Sequence, residues 1–425
     1  MRYCARCLYP ENHPLHLTFD DEGVCSGCRV HEEKDRLDWP KRLEQLQRLV
    51  AGYQGKNRTI HDCVVPVSGG RDSYFIVHVV KRVLGLRPLL VAYNKQYNTP
   101  VGIRNLSYLR SLLGCDLMTM TVSPDRARRI TRESLRRRGS IYWHCLAGQT
   151  AFPVQIAVKF KIPLIIWGAH QGVDQVGMFS HTDEVEMTRK YRKEHDLMGL
   201  EAEDLAAGAE HVREEDLEQY FYPHDKELEA VGVRGIYLNN YLRWDTKAQH
   251  ELMIRSYGYE TAPQLRTFDC YNDVDCFHYS GLHDWIKCAK LGYGKAVDHA
   301  CREIRLKRLS REAGISLARK YEAVAPTDAD LFLRWIGLSR TELDAAIEPH
   351  RDGRARAGSN PGARNSTESI ACHGNDPAVE AARLPLTGRC DFIDAPSRGP
   401  LDSERKYILV GRGWADHPSL ASKLP

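Results

Sequence analysis

A short polar loop with two adjacent glycines joins an apolar, strand-like run to a helical pattern. The run is Cys63–Val67, the loop is Ser68-Gly69-Gly70-Arg71-Asp72-Ser73, and helical spacing begins at Tyr74. Because glycine has no Cβ, the backbone of such a loop comes close to an anion, which the N–H groups at the helix start then face. The serine hydroxyls and Arg71 add donors for phosphate oxygens, and Asp72 can hold Mg²⁺. The pattern predicts a phosphate site at the end of a β-strand.

The stretch between residues 62 and 170 alternates strand-like runs with helical patterns. The predicted strands are Cys63–Val67, Pro88–Tyr93, Asp116–Val122 and Pro163–Trp167, with helices at about 72–85, 101–114, 125–138 and 148–161. This alternation predicts an α/β fold, a parallel sheet with helices on both faces. Ligands of such sheets bind beyond the carboxyl ends of the strands, where Asn94 and Gly168 lie. We therefore predict one nucleotide site formed by Ser68, Gly69, Gly70, Arg71, Asp72, Ser73, Asn94 and Gly168.

Four cysteines near the start of the chain have the spacing of a zinc ribbon. Cys4 and Cys7 form one Cys-x-x-Cys pair, and Cys25 and Cys28 form another. Two such pairs complete a closed tetrahedral site, which leaves no open position for catalysis. Residues 1–30 are too few to bury a sufficient core, so metal binding would supply their folding free energy. We predict a structural Zn²⁺ at these four cysteines.

Composition limits the environment and the partners. No run of 18 apolar residues occurs, which predicts no membrane span, and 13 cysteines without an export signal predict a reducing, cytoplasmic location. The net charge of +4 is too small to argue for nucleic acid. Two arginine-rich stretches, 126–138 and 302–311, are typical of solvated helix faces, with binding of a phosphate-bearing ligand as the alternative.

The chain divides into four predicted parts. Residues 1–30 form the zinc ribbon, 31–180 the nucleotide-binding α/β domain, and 181–345 an insertion and a helical substrate lobe. Beyond about residue 346, arginine, glycine and proline replace periodic patterns. That composition predicts a poorly ordered tail over 346–425.

The loop at 68–73 resembles the SGGxDS pyrophosphate loop of ATP pyrophosphatases, whose fold is of the adenine nucleotide alpha hydrolase-like (HUP) type. The flanking segments resemble the N-acetyl sugar amidotransferases of bacterial surface polysaccharide biosynthesis, which serve O-antigen or nonulosonic acid synthesis. These segments are Tyr93–Leu106, Trp143–Cys145, Ile165–Gly168, Gly281–Lys287, Lys290–Ala300 and Arg302–Arg305. The resemblance covers about residues 1–345. Lys295 departs from it, because many relatives are expected to have arginine there.

The resemblance implies an ATP-dependent amidotransferase that uses ATP, Mg²⁺ and a nucleotide-linked N-acetyl sugar. The acetamido oxygen would attack the α-phosphate of ATP, pyrophosphate would leave, and ammonia would displace AMP to give an acetamidino sugar. Arg71 and Asp72 are the catalytic candidates. Carboxylates such as Asp174 or Asp298 would suit the cationic product, although the sequence assigns neither a role.

The source of ammonia is inferred from an absence. Position 2 is arginine, and no cysteine nucleophile of glutaminase type is recognisable. The resemblance implies that a separate glutaminase with a cyclase-like subunit supplies ammonia.

Three alternatives remain open in the sequence. A tRNA thiolation enzyme also combines a cysteine ribbon with a pyrophosphate loop, although it usually carries further cysteines beside its site. Cys145, Cys270 and Cys276 could form a second metal site with nearby histidines or could be buried apolar residues. His170, Asp174 and Gln175 could line the nucleotide pocket or belong to an ordinary helix cap.

Overall fold

The structure is a computed structural model that describes residues 1–56, 59–206 and 208–353. Most of the predicted poorly ordered tail, residues 354–425, lies outside the described residues.

A five-stranded parallel sheet forms the centre of the α/β part. Its strands are β1 (Cys63–Pro66), β2 (Pro88–Tyr93), β3 (Asp116–Met120), β4 (Leu164–Trp167) and β5 (Arg234–Tyr237). The strand order is β3-β2-β1-β4-β5, with Val65 opposite Leu90 and Val64 opposite Ile165. All four pairings are parallel. The four predicted strands are present. Strand β5 was not predicted, since its first two residues, Arg234 and Gly235, interrupt any apolar run.

Sixteen α-helices occur in the described part of the chain. They are α1 (Ser26–Glu33), α2 (Trp39–Ala51), α3 (Arg71–His78), α4 (Pro100–Leu112), α5 (Pro124–Arg138), α6 (Trp143–Phe160), α7 (Gln171–Asp174), α8 (Arg189–Tyr191), α9 (Ala202–Leu205), α10 (Asp225–Val231), α11 (Thr246–Tyr257), α12 (Leu282–Leu291), α13 (Lys295–Arg305), α14 (Arg311–Glu322), α15 (Ala329–Ile336) and α16 (Arg340–Ile347). Two π-helical turns, Val79–Val83 and Arg192–Asp196, directly follow α3 and α8. Short 3-10 helices span His181–Asp183, Glu214–Asp216, Glu218–Tyr220, Leu238–Asn240 and Glu348–His350. In the described residues no helix has both the length and the apolar character to cross a bilayer.

Helices cover both faces of the sheet. Successive residues of a strand point to opposite sides, so each strand contributes to a core on either face. Val65 of β1 belongs to a core with residues of α3, α4 and α11, whereas its neighbour Val64 belongs to a core with residues of α6. The predicted fold class is therefore confirmed. The sheet's topology reverses between β1 and β4, and the carboxyl ends of these strands are the expected position of a ligand.

The amino-terminal cysteine module packs against the carboxyl-terminal helical lobe. Leu8 and Tyr9 share a buried cluster with Val297 and Ile304 of α13 and with Ile315 of α14. This contact gives the short module the apolar core that its own residues cannot supply.

Candidate active site

The loop after β1 is closed by its own serines. Ser68 Oγ accepts a hydrogen bond from the Gly70 N–H at 3.1 Å, and Ser73 Oγ accepts one from the Ser68 N–H at 3.0 Å. Gly69 has a φ of +84°, and a Cβ there would lie 2.5 Å from the carbonyl oxygen of Gly102. Only glycine fits this conformation and this contact without strain.

Helix α3 begins directly after this turn. Gly70 is its N-cap residue and provides no side-chain hydrogen bond to the first turn. The N–H groups at the start of an α-helix have no intrahelical partner, and the helix dipole adds positive potential. The local geometry therefore suits the phosphate site that the sequence predicts.

Asp72 and Arg71 form a charged pair at the start of α3. The Nε of Arg71 lies 3.4 Å from Oδ2 of Asp72, and Nε2 of His250 lies 3.4 Å from its Oδ1. Burial raises the pKa of Asp72, but Arg71 and the His250 hydrogen bond outweigh it and lower the pKa to about 2. Asp72 is therefore a carboxylate at neutral pH. The buried Nη1 of Arg71 has no hydrogen-bond partner within the described chain, so this donor is available to a ligand.

A cavity of about 680 Å³ adjoins this pair. It is lined by Arg71 and Asp72, by Lys34, Asp174 and Gln175 near the end of β4, and by residues of the helical lobe. The polar residues that line it between positions 273 and 305 are Asp273, Tyr279, His283, Asp284, Lys287, Lys290, Tyr293, Lys295, Asp298, His299, Arg302 and Arg305. The volume is within the usual range for sites that bind a drug-sized ligand.

The other predicted nucleotide-binding residues do not line the cavity wall. Ser68, Gly69, Gly70 and Ser73 shape the loop behind Arg71 and Asp72. Asn94 accepts hydrogen bonds from the Gln96 N–H at 3.0 Å and from Asn98 at 2.5 Å, so its side chain holds the turn after β2. A Cβ at Gly168 would lie 2.9 Å from Cδ1 of Ile76, which shows that this glycine permits close packing of α3. A nucleotide contact by Asn94 or Gly168 stays a prediction.

Three partly buried ion pairs place both cations and carboxylates on the lobe side of the cavity. Lys295 Nζ lies 3.3 Å from Asp273 Oδ2, Lys287 Nζ lies 2.5 Å from Asp298 Oδ2, and Arg302 pairs with Asp269. Burial alone would lower the pKa of Lys295, yet Asp273 raises it above its usual value. Lys295 is thus a cation, and its Nζ lies 3.5 Å from the centroid of the Tyr279 ring.

A segment of the lobe lies across the loops that follow β1 and β2. The Phe277 N–H donates to the Tyr97 carbonyl at 2.9 Å, Asn98 and Cys276 form an antiparallel bridge, and Lys95 pairs with Asp275 in a buried contact. A Cβ at Gly70 would lie 3.1 Å from Oδ1 of Asp275. The lobe is therefore anchored directly against the phosphate loop.

The four cysteines of the amino-terminal module come together and are buried. All four Sγ atoms lie within 4.8 Å of one another, with Cys4 and Cys28 at 3.9 Å and Cys7 and Cys25 at 3.7 Å. A tetrahedral zinc with Zn–S bonds of about 2.3 Å places its sulfurs about 3.8 Å apart. The cluster is therefore compatible with one Zn²⁺.

Backbone and side-chain donors surround the same sulfurs. The N–H groups of Arg6, Cys7 and Cys25 lie 3.3–3.4 Å from the Cys4 sulfur, and Nη2 of Arg305 lies 3.5 Å from the Cys25 sulfur. Such donors offset the negative charge of thiolate ligands and orient them.

No second metal site forms among the other cysteines of the described residues. Cys145 and Cys276 are buried within an apolar cluster, which agrees with the apolar alternative, and Cys270 is only partly exposed. His170 lines a smaller side pocket, while Asp174 and Gln175 line the large cavity.

The two arginine-rich stretches differ in their surroundings. On α5, Arg129 pairs with Asp216, Arg132 with Glu210 and Arg137 with Glu133, which agrees with an ion-paired helix face. The basic residues of the second stretch are buried or partly buried. Arg302 lines the cavity, and Arg311 donates to the carbonyl oxygens of Cys4 and Cys7 at 3.3 and 3.2 Å. The interpretation of 302–311 as a solvated face is wrong, because the end of α13 and the start of α14 pack against the cysteine module.

Three residues that line the cavity or contact its lining were not predicted from the sequence. His250 of α11 contacts Asp72, which lies 178 residues earlier in the chain. Asp273, in an irregular segment, contacts Lys295, 22 residues later. Asp196 lines the cavity from a π-helical turn. No local motif marks these three residues. A weak signal exists only for Asp273, because it lies in a cluster of Asp, Asn and Tyr at 269–275.

Comparison with known proteins gives one family match. Residues 265–356 match the family described as LPS biosynthesis protein WbpG-like, C-terminal domain. This stretch contains Asp273, Lys287, Lys295, Asp298 and Arg302 of the cavity wall. None of the curated proteins compared with the chain matches it. Among solved structures, NMN synthetase from Francisella tularensis is similar with 13% identity and a TM-score of 0.25, over 48% of this chain and 93% of that chain. A similarity this low does not bear on the fold or the function.

Proposed function

We propose that this protein is an ATP-dependent amidotransferase that converts the acetamido group of a nucleotide-linked N-acetyl sugar into an acetamidino group. One observation supports this most directly. A single cavity is lined on one side by Arg71 and Asp72 of the phosphate loop, and on the other by Lys287, Lys295 and Asp298. The latter residues lie in the stretch that matches the LPS biosynthesis family. ATP and a sugar substrate could therefore meet in one space.

The phosphate loop would bind and orient ATP. The unpartnered Nη1 of Arg71 and the first N–H groups of α3 would hold phosphate oxygens, which favours charge transfer to the departing pyrophosphate. Asp72, ionised at neutral pH, would hold Mg²⁺, which would neutralise the charge of the phosphates. The products would be AMP and pyrophosphate.

The lobe side would bind the nucleotide sugar. Lys287 and Lys295, each beside its carboxylate partner, would donate hydrogen bonds to the oxygens of a substrate diphosphate. The acetamido oxygen attacks the α-phosphorus of ATP, the bond to pyrophosphate breaks, and the imidate becomes an AMP ester. Asp174 and Asp298 line the same space and would favour the cationic amidine that forms when ammonia displaces AMP.

Ammonia would come from a glutaminase partner with a cyclase-like subunit, in the cytoplasm where ATP is available. The four-cysteine cluster would bind a structural Zn²⁺ and would take no part in the chemistry, because four thiolates leave no open position. We find no specific observation that favours tRNA thiolation, since none of the cavity-lining residues in the described chain is a cysteine.

Product analysis would test the proposal. The purified protein would be incubated with ATP, Mg²⁺, ammonium chloride and a panel of nucleotide N-acetyl sugars, followed by mass spectrometry. We expect AMP, pyrophosphate and a sugar product in which an NH group replaces the acetamido oxygen, with the corresponding decrease in mass. ADP and phosphate as the nucleotide products, or sulfur in the product, would contradict it.

A further inference from the structure

A second, smaller pocket adjoins the main cavity beyond the end of β4. Its volume is about 130 Å³, and Ala169, Gln171 and Asp196 line both spaces. The remaining wall includes Trp167, His170, Tyr191 and Tyr237, among other residues. That volume is about four times the ~30 Å³ that one water molecule occupies in the liquid, so the pocket has room for a small ligand.

His170 is buried in this pocket with unused hydrogen-bonding capacity. The side chain is 1% exposed, and neither Nδ1 nor Nε2 has a hydrogen-bond partner among the described residues. Burial lowers the pKa of His170 to about 3, so the ring is neutral and offers one donor and one acceptor. Trp167 Nε1, also buried and unpartnered in the described chain, adds a donor. Buried polar groups are nearly always satisfied, so these atoms indicate a small polar ligand.

Asp196 supplies the only carboxylate that lines this pocket in the described chain. It is the last residue of the π-helical turn Arg192–Asp196, a type of turn that is frequent at functional sites. The nearby guanidinium of Arg192 is already bound, because it lies 2.6 Å from Glu201 and 2.9 Å from Thr150. Asp196 therefore faces the pocket without a matched cation.

Aromatic rings complete the wall around His170. The His170 ring centroid lies 3.9 Å from that of Tyr191 and 4.6 Å from that of Tyr237. Ring faces and a carboxylate attract a small cation, while a neutral imidazole and an indole N–H suit a small neutral molecule that both donates and accepts. Ammonia in its two protonation states meets all of these requirements.

We propose that this side pocket, formed by Trp167, His170 and Asp196, binds ammonium and delivers ammonia to the main cavity. The inference rests on the proposed function, since it assigns the site of the second substrate. Ammonium gives one proton to the Asp196 carboxylate, and neutral ammonia passes the shared wall at Ala169 and Gln171. Its nitrogen bonds to the imidate carbon, the C–O bond to AMP breaks with its electron pair on AMP, and the amidine keeps the extra proton as an amidinium.

The protonation behaviour of Asp196 is consistent with this role. Burial raises the pKa of Asp196 to about 7, against the opposing effect of the Arg192 charge. A carboxyl group with this pKa exists in both forms near neutral pH. It can therefore accept a proton from ammonium and release it again during turnover.

Kinetics with two pocket variants and one matched control would test the inference. Asp196→Asn removes the base, His170→Phe removes the imidazole but keeps an aromatic ring, and Glu322→Gln is the control. Burial also raises the pKa of Glu322 to about 7, yet Glu322 lines neither space. Adenylation alone is measured without ammonium as sugar-dependent pyrophosphate–ATP exchange, and the KM for ammonium chloride is measured from amidine formation.

The exchange rate of each variant gives its adenylation activity, and that of Glu322→Gln should be close to the rate of the unmodified protein. The KM for ammonium should rise about tenfold or more in Asp196→Asn and His170→Phe, but not in Glu322→Gln. Hydroxylamine, a nucleophile that is already uncharged near neutral pH, should be used almost equally well by Asp196→Asn and the unmodified protein. An unchanged KM for ammonium in both pocket variants would overturn the inference.

A direct binding measurement separates this inference from the proposed function. Nitrogen-15 ammonium chloride is observed by NMR exchange broadening with the full-length protein and no ATP. We expect broadening with the unmodified protein that Asp196→Asn abolishes. If no nucleotide sugar supports pyrophosphate–ATP exchange but the NMR broadening is found, the proposed function fails and the ammonium site stands. If pyrophosphate–ATP exchange is found but no broadening depends on Asp196, the ammonium site is rejected and the proposed function stands.

Discussion

Nη2 of Arg305 donates a hydrogen bond to Sγ of Cys25 at 3.5 Å, across 280 residues of sequence. The same guanidinium lies over the ring of Tyr9, 5.2 Å from its centroid, and donates to the Gln175 carbonyl at 2.5 Å. Arg305 thus joins three parts of the chain: the cysteine module, the loop after β4 and helix α13. A Cβ at Gly27 would collide with this guanidinium, so the module and the arginine fit each other closely.

We predict that Arg305→Met weakens metal binding and stability together. Zinc held by four thiolates has a net negative charge, and Arg305 is buried beside it. Loss of the guanidinium should cost about 3 kcal/mol of unfolding free energy and about tenfold or more in zinc affinity. Zinc content after dialysis against a chelator and urea denaturation would measure both. Lys307→Met, which removes a partly exposed pair with Asp35, should change stability by less than about 1 kcal/mol.

Asp72→Asn should abolish ATP cleavage with little effect on folding. The change removes the charge predicted to hold Mg²⁺ but keeps the shape of the side chain at the start of α3. We expect the rate of sugar-dependent pyrophosphate release to fall by about a hundredfold or more. Asp125→Asn on the exposed start of α5 is the control. Near-normal pyrophosphate release by Asp72→Asn would remove Asp72 from the proposed chemistry.

Substitutions of Lys295 would test the lobe side of the cavity. Lys295→Met removes a partly buried cation that contacts Asp273 and the Tyr279 ring, and leaves Asp273 without that cation. We expect kcat/KM for the nucleotide sugar to fall by about a hundredfold, a loss of about 3 kcal/mol of transition-state stabilisation. Lys295→Arg keeps the charge and should retain most of the activity. Equal activity of the Met and Arg variants would show that the charge is not needed.

The stability of the Glu322→Gln variant relative to the unmodified protein should depend on pH. Burial raises the pKa of Glu322 from 4.5 to about 7, with Asp284 adding to the rise. Between pH 4.5 and about 7, Glu322 is therefore protonated in the folded state but ionised in the unfolded state. The stability of the unmodified protein decreases as the pH rises through that window. Glutamine cannot ionise but still accepts the Gly294 N–H. In urea denaturation, the unfolding free energy of the variant should rise relative to that of the unmodified protein from about pH 4.5 to 7 and should not rise further above pH 7. A difference that is constant with pH would contradict the assignment.

The nitrogen source gives another test. We predict that the isolated protein uses ammonium but not glutamine until a glutaminase partner is added. If the pKa of ammonium resembles that of a lysine side chain, roughly 9–10, only about one per cent is free ammonia near neutral pH. Raising the concentration of ammonium chloride at fixed pH should therefore increase amidine formation. Glutamine-driven turnover by this chain alone, at a rate matching ammonium, would refute the need for a partner.

Local sequence determined the parts of this protein that depend on neighbouring residues. Strands β1 to β4, the loop of Ser68 to Ser73 and the two Cys-x-x-Cys pairs were predictable, because propensity, glycine geometry and ligand spacing act over a few residues. The clustering of four cysteines was predictable for the same reason.

Only the tertiary structure decided what surrounds these elements. Strand β5 obtains its partner, Leu164 opposite Arg234, from a segment 70 residues earlier. His250 reaches Asp72, Asp273 reaches Lys295, and Arg305 reaches Cys25 through helix packing that no local pattern encodes. The expected exposure of the 302–311 arginines is wrong for this reason, since charge patterning in sequence does not reveal which face another part of the chain will cover. The side pocket at His170 and Asp196 likewise exists only where β4 and a π-helical turn meet in space.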